Sequence, residues 1–277
     1  RAQRLAALVA TGALAFGASG ALATPTNVRV STDLDAGYVS NYQMVTGNAY
    51  TDAALTECGR SHGRQNEPSV AMDPRNQSVI VGSANDYCAT YNGGNDADGA
   101  PIPSGPIWLG YYRSQTGGTS WQGSLVPGYP GDTSTYGARA KVRTGSAGDP
   151  VLAWDTHGRL YIGAESSENN NGLPNANYGD VWVATFENPG GVDGATINDG
   201  KEFKRSVIVD KGAAAKGNQG NFPDKTAIEV DRTGGSCDGN VYFAWSRFNG
   251  LGGVNGIYFA RSTDHGATWS SPVKLTE

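Results

Sequence analysis

Three acidic residues stand at the heads of similar stretches. Glu67 opens "EPSVAMDPRNQSVIVGSAND" (67–86), Asp149 opens "DPVLAWDTHGRLYIGAES" (149–166) and Asp224 opens "DKTAIEVDRTGGSCDGNVYFAWSR" (224–247). Carboxylates that converge from separate strands can serve as general acid and base, or hold a hard cation such as Ca²⁺. Alone, an acid before a strand does less: it caps loop N–H groups and hydrates the surface. Which role applies depends on the elements that carry the three.

Each stretch runs through apolar residues to a second acid (Asp73, Asp155, Asp231), then a polar turn, then a run rich in Val, Ile, Tyr and Phe. This reads as a β-hairpin. A third run follows in each: "IWLGYYRS" (107–114), "DVWVATFE" (180–187) and "GIYFARST" (256–263). A fourth closes the unit: "WQGSLVP" (121–127), "FKRSVIVD" (203–210) and "SSPVKLTE" (270–277). Four antiparallel strands recurring at this period make a β-propeller blade, with blades at about 64–130, 145–210 and 220–277. One blade cannot bury its own faces, so neighbours must stack.

Composition agrees with an all-β chain. Of 277 residues, 40 are Gly and 13 Pro, leaving few stretches free enough of breakers to form long helices. The net charge of −5 and the lack of clustered Lys and Arg argue against nucleic acid as a partner.

Residues 1–23, "RAQRLAALVATGALAFGASGALA", set Arg1 and Arg4 before an Ala-rich apolar run ending in Ala21-Leu22-Ala23. That is the pattern of a secretory signal peptide. No later segment is apolar for long enough to span a membrane. The mature chain is expected to be secreted, periplasmic or at the cell surface. Residues 24–63 form an N-terminal segment whose "TNVRVST" would suit a closing strand.

Export permits disulfides. Of three cysteines, Cys58 lies just before the first strand of blade one and Cys88 just after the second, so strand alternation puts both at one end and makes a Cys58–Cys88 bridge the expected pairing. Cys237 falls in a turn at the other end.

The third-to-fourth turns share a pattern. In blade three it reads Ser262-x-Asp264-x-Gly266-x-Thr268-Trp269, and in blade one Ser114-x-Thr116-x-Gly118-x-Ser120-Trp121. A short polar side chain accepts backbone N–H bonds across the turn, Gly tolerates positive φ, and Trp packs back between strands. The pattern resembles the Asp box of sialidase-like β-propellers (the BNR repeat). The resemblance covers roughly residues 64–277 and is specific at two turns; blade two lacks it. It implies a secreted bacterial propeller of six blades, of which this sequence would hold the N-terminal three as an incomplete ring. It also implies a glycoside hydrolase, of exo-sialidase type, acting on a glycan or glycoconjugate by carboxylate acid/base chemistry.

Members of that family hold the substrate carboxylate with three arginines, the first from an Arg-Ile-Pro motif before the first strand. Here the stretch reads Asn66-Glu67-Pro68-Ser69, with Arg64 two residues earlier. Arg247 is the candidate for a second clamp.

In an up-and-down blade the turns just described mark one face. Glu67, Asp149 and Asp224 lie on the opposite one, with long loops at 86–106, 128–148, 167–179 and 211–223. First strands line the axis, so the three acids are expected to converge at one mouth as catalytic candidates. Asp86, Glu165, Arg64 and Arg247 join them as substrate-binding candidates. No metal site follows from the sequence: "GNDADG" (94–99) lacks the first and last ligands of a calcium loop, and His62, His157 and His265 have no ligand spacing. No cofactor is expected beyond Ca²⁺ at the acidic mouth. A non-catalytic propeller binding glycan or protein at the cell surface fits the same sequence, and a scaffold role fits it less well.

Overall fold

The computed structural model describes residues 27–31, 37–60, 63–88, 107–142, 144–169, 179–213, 220–250 and 253–276. The signal-like segment and the 94–99 motif lie outside them. The strands fall into three four-stranded antiparallel sheets. The first holds β1 (Gln65–Met72), β2 (Ile80–Asp86), β3 (Trp108–Ser114) and β4 (Gln122–Leu125) in order. The second holds β5 (Thr144–Trp154), β6 (Leu160–Asn169), β7 (Asp180–Glu187) and β8 (Glu202–Asp210). The third holds β9 (Asn221–Val230), β10 (Val241–Asn249), β11 (Gly256–Ser262) and β12 (Val273–Lys274). The chain is all-β, with three propeller blades, each a meander.

The first strand of each blade lies innermost: β1 packs along β5 and β5 along β9. Large aromatics fill the joints. Trp108 stacks on Trp182 with centroids 6.1 Å apart, and Tyr111 on Phe186 at 4.6 Å, joining the first two sheets. Tyr161, Val181, Val183, Phe243 and Trp245 are buried together between the second and third. Each aromatic pair adds about 0.5–1.5 kcal/mol beyond the area it buries. The outer faces of the first and third sheets carry no further sheet among the described residues, and Val70, Met72, Ile257 and Val273 are exposed there. The fourth strand of the third blade is accordingly short, two residues instead of the eight read from the sequence.

Of the expected closing strand, "TNVRVST" (26–32), only residues 27–31 are described, without strand pairing, and the rest of the described N-terminal segment makes two short helices, α1 (Asn41–Thr46) and α2 (Ala53–Cys58). Both start at a side-chain cap, Ser40 accepting from the Gln43 N–H and Asp52 from the Leu55 N–H. Gly47 ends α1 in the left-handed region at φ 74°. Tyr38 bridges in parallel to Gly123 at the outer edge of the first sheet. Cys58 and Cys88 are bonded, tying α2 to the end of β2, and Cys237 is free and exposed.

The two Ser/Gly/Trp turns are built from their own side chains. In the third sheet Ser262 Oγ accepts from the Gly266 N–H at 2.8 Å, while Asp264 Oδ1 accepts from the Thr268 N–H at 2.8 Å. Asp264 Oδ2 takes the Thr268 hydroxyl at 2.6 Å. In the first sheet Ser114 Oγ accepts from the Gly118 N–H at 2.9 Å, Thr116 Oγ1 takes over the role of the Asp, and Trp121 Nε1 donates to the Gly118 carbonyl.

Candidate functional site

The inner strands share an irregularity that aims one residue of each at the axial mouth. Asn66 pairs with Asn85 but Ser69 with Ser83; Gly148 pairs with Glu165 but Val151 with Gly163; Asp224 pairs with Ser246 but Thr226 with Trp245. Each strand therefore bulges near its entry end, and the bulged residue is Glu67, Asp149 or Lys225. All three adopt left-handed backbone, at φ 50°, 52° and 49°. Non-glycine residues take that conformation at a cost of about 1–3 kcal/mol, and such strain gathers at functional sites. Pro68 and Pro150 follow two of the bulges, where an N–H is not needed.

The bulge corrects the alignment of the three acids. Lys225, not Asp224, is the counterpart of Glu67 and Asp149; Asp224 precedes it and matches Asn66 and Gly148. Lys225 closes an ion cluster, its Nζ 2.6 Å from Asp149 Oδ2 and 3.8 Å from Glu67 Oε2. Asn85 knits the acids from behind: its Nδ2 donates to Glu67 Oε2 at 3.2 Å, and its Oδ1 accepts from the Asp149 N–H at 2.6 Å. Glu67, Pro68, Asp149, Pro150, Val151, Lys225 and Thr226 line an open depression of about 290 Å³.

Glu165 sits behind Asp149, and Asp224 completes the group. One carboxylate oxygen from each of Asp149, Glu165 and Asp224 lies within 4.8 Å of the others. Among the described residues this is the one set with metal-ligand spacing, so it is where a divalent cation would be held.

The electrostatics split the carboxyls. Burial, followed by the charges of Asp224 and Asp149, pushes Glu165 up to about 8, so it is protonated at neutral pH; its Oε2 has no partner. Asp149 goes the other way. Burial opposes its charge, but hydrogen bonds from Glu67 and Lys225 outweigh it and hold the carboxyl below its usual range. Glu67 is raised, chiefly by its hydrogen bond to Asp149, so of the two Asp149 ionises the more readily.

Two candidates lie elsewhere, for one geometric reason. Side chains alternate along a strand, and Asn85, Glu165 and Ser246 occupy matching positions facing the mouth. Asp86 and Arg247 come one residue later and face away. Asp86 is buried, its Oδ2 receiving the Tyr38 and Tyr112 hydroxyls and its Oδ1 the Cys88 N–H. Arg247 is paired with Asp210 and lies 4.1 Å over the Tyr258 ring. Arg64 is exposed and outside the lining of the depression. Among the described residues no arginine lines the site. Lys225 and Asn85 are the site residues that the sequence did not single out; the doubled residue after Asn66 and Gly148 hides both from a simple alternation count.

No family model matches this sequence, and no curated protein matches it. Solved structures do. The Penicillium chrysogenum α-L-arabinanase complexed with arabinobiose is similar over 77% of this chain and 50% of its own, at 13% identity and TM-score 0.47. The Hadza microbial sialidase Hz136 is similar over 76% and 38%, at 16% and 0.45. The Trypanosoma rangeli sialidase in complex with the inhibitor DANA is similar over 75% and 30%, at 14% and 0.41. The chain thus spans half the length of the arabinanase and less of the two sialidases. It is similar to these solved structures, and its own three meandering sheets carry the propeller architecture.

Proposed function

We propose that this chain carries the carboxylate half of a glycoside hydrolase site, with Glu165 as general acid and Asp149 as the ionised partner. One observation carries the reading: two neighbouring carboxyls at the axial mouth are held in opposite protonation states at neutral pH. Pushing two acids apart in this way is how a site obtains a proton donor and a nucleophile or base from the same chemistry. Oxygens within 4.8 Å lie nearer the roughly 5–5.5 Å of retaining enzymes than the 6.5–9.5 Å that leaves room for an inverting water.

The substrate we infer is a neutral glycoside. Among the described residues four acids, Glu67, Asp149, Glu165 and Asp224, meet a single cation, Lys225, which is already engaged. An exo-sialidase needs guanidinium groups to hold the sugar carboxylate, and Arg64 and Arg247 are not placed for that. Export completes the reading, on the strength of residues 1–23.

A panel of fluorogenic glycosides, including a sialoside and an arabinofuranoside, tests this. Turnover of a neutral glycoside, abolished in Glu165→Gln and Asp149→Asn, is the expected result. Turnover of the sialoside alone would refute the neutral-substrate reading, and turnover that survives both substitutions would refute the acid assignment. A second reading, glycan binding without catalysis, draws on the hydrogen bonds with which Asn85 and Lys225 already fill the depression. Saturable glycan binding with no turnover across the panel would select it. Secreted protein whose N-terminus is Thr24 is the expected product of export.

A further inference from the structure

The opposite end of the first blade holds a second recess, of about 190 Å³, lined by Met44, Arg113, Thr116, Ser120, Trp121 and Lys201, with two glutamines at its rim. Its charge is uncompensated. Arg113 is 5% exposed, and both of its hydrogen bonds leave from Nη2, to the carbonyls of Ile197 and Asp199 at 2.8 Å. Its Nε is buried with no partner. Asp199 contributes only that carbonyl, because its carboxylate is turned to Arg75 at 3.3 Å and to Asn188 at 2.6 Å. Lys201, half-buried, makes no ion pair among the described residues, and burial first and the charge of Arg113 second lower its affinity for a proton. A buried guanidinium normally finds a carboxylate.

The turn beside the recess carries no acid where the third blade has one. Thr116 occupies the turn position that Asp264 holds in the third blade, with Ser114 and Gly118 matching Ser262 and Gly266. The turn closes in both blades, since Thr116 Oγ1 accepts from the Ser120 N–H at 2.9 Å as Asp264 accepts from the Thr268 N–H. Thr keeps the geometry and omits the charge. The recess is left with two cations, hydroxyls from Thr116 and Ser120, and no acid in its lining.

We propose that this recess binds a tetrahedral oxyanion, sulfate or phosphate, free or as an ester on a larger ligand, between Arg113 and Lys201. Arg113, its Nη2 spent on the two carbonyls and its Nε buried, offers the N–H groups of Nη1 from a fixed guanidinium, and Lys201 offers a mobile point charge, a combination that suits an oxyanion of this size. The site lies on the turn face, away from the acidic mouth, and does not depend on the reaction carried out there.

Calorimetric titration of the full chain with inorganic sulfate and inorganic phosphate, against chloride at matched ionic strength, tests the proposal. Saturable binding is expected. Lys201→Gln should weaken it roughly tenfold, the loss of one charge-assisted hydrogen bond, whereas Lys211→Gln, an exposed lysine elsewhere, should leave it unchanged. Thr116→Asp restores the acid in a turn that accepts Asp in the third blade, so it should fold and lose binding. Tighter binding of N-acetylglucosamine 6-sulfate than of inorganic sulfate would identify an ester as the ligand, and equal or weaker binding the free ion. No saturable heat, equal losses in the two lysine variants, or undiminished binding in Thr116→Asp would overturn the site.

Discussion

Lys225 Nζ lies 2.6 Å from Asp149 Oδ2, although the two residues occupy the same bulged position in neighbouring sheets. The repeat therefore places a cation beside an acid across the axis, and that cation, after the hydrogen bond with Glu67, helps to hold the Asp149 carboxyl down. Lys225→Met should raise the Asp149 carboxyl and move the acidic limb of the activity profile to higher pH. Because Lys225 is largely exposed, stability should change by no more than about 1 kcal/mol. A pH–rate profile together with a urea titration separates the two effects. An unmoved acidic limb would show that Lys225 is only a solvated neighbour.

Glu165 gives a pH dependence of opposite kind. Its folded-state value, about 8, lies above its usual 4.5. Between those values the folded chain holds a proton that the unfolded chain has released, so this residue favours folding at low pH and its contribution is lost as pH rises toward 8. Glu165→Gln should flatten that part of the stability curve. As general acid, Glu165 should also set a basic limb near pH 8, and Glu165→Gln should lower kcat about 10²–10⁴-fold. A basic limb that persists in Glu165→Gln would assign the proton to another group.

The blades were legible because their strands alternate and their turns carry Gly and short polar residues at fixed offsets. Strand content, the three-sheet repeat and the buried aromatic joints all follow from that pattern. The site was only half legible. Glu67 and Asp149 come together because each follows a loop and precedes a Pro, a signal visible in the chain. A bulge inserts one residue, however, and a one-residue slip exchanges the two faces of a strand. That slip separates Lys225 from Asp224, and counting one position too far on β2 and β10 turned attention to Asp86 and Arg247. The helices α1 and α2 were missed because each is six residues long, too short for an apolar period to show.

The joint between the first two blades should be the most sensitive part of the core. Phe186 is fully buried, stacked on Tyr111 and set edge-on to Phe203 at 5.4 Å. Phe186→Ala should cost about 3–5 kcal/mol, since rings held from both sides cannot close the cavity. Denaturant unfolding followed by tryptophan fluorescence measures it. A loss below about 1 kcal/mol would mean that the sheets repack freely.

The two Ser/Gly/Trp turns should respond differently to acid. Burial works against the Asp264 charge, but the Thr268 hydroxyl and N–H and the Ser262 hydroxyl hold its carboxyl down at about 2, below the usual 3.8. Its contribution to stability is therefore complete above pH 3.8 and fades as pH falls toward 2. The carboxylate is largely solvated, so the increment is under about 1 kcal/mol. Thr116 does not titrate, and its turn should hold through the same range. Amide exchange at Thr268 and at Ser120, whose N–H groups bond Asp264 and Thr116 in the same way, reads the two turns side by side. Protection should fall at Thr268 and not at Ser120 between pH 4 and 2, and Asp264→Asn should remove the difference. Parallel loss at both amides would mean that the turns open with the sheet and not by titration of Asp264.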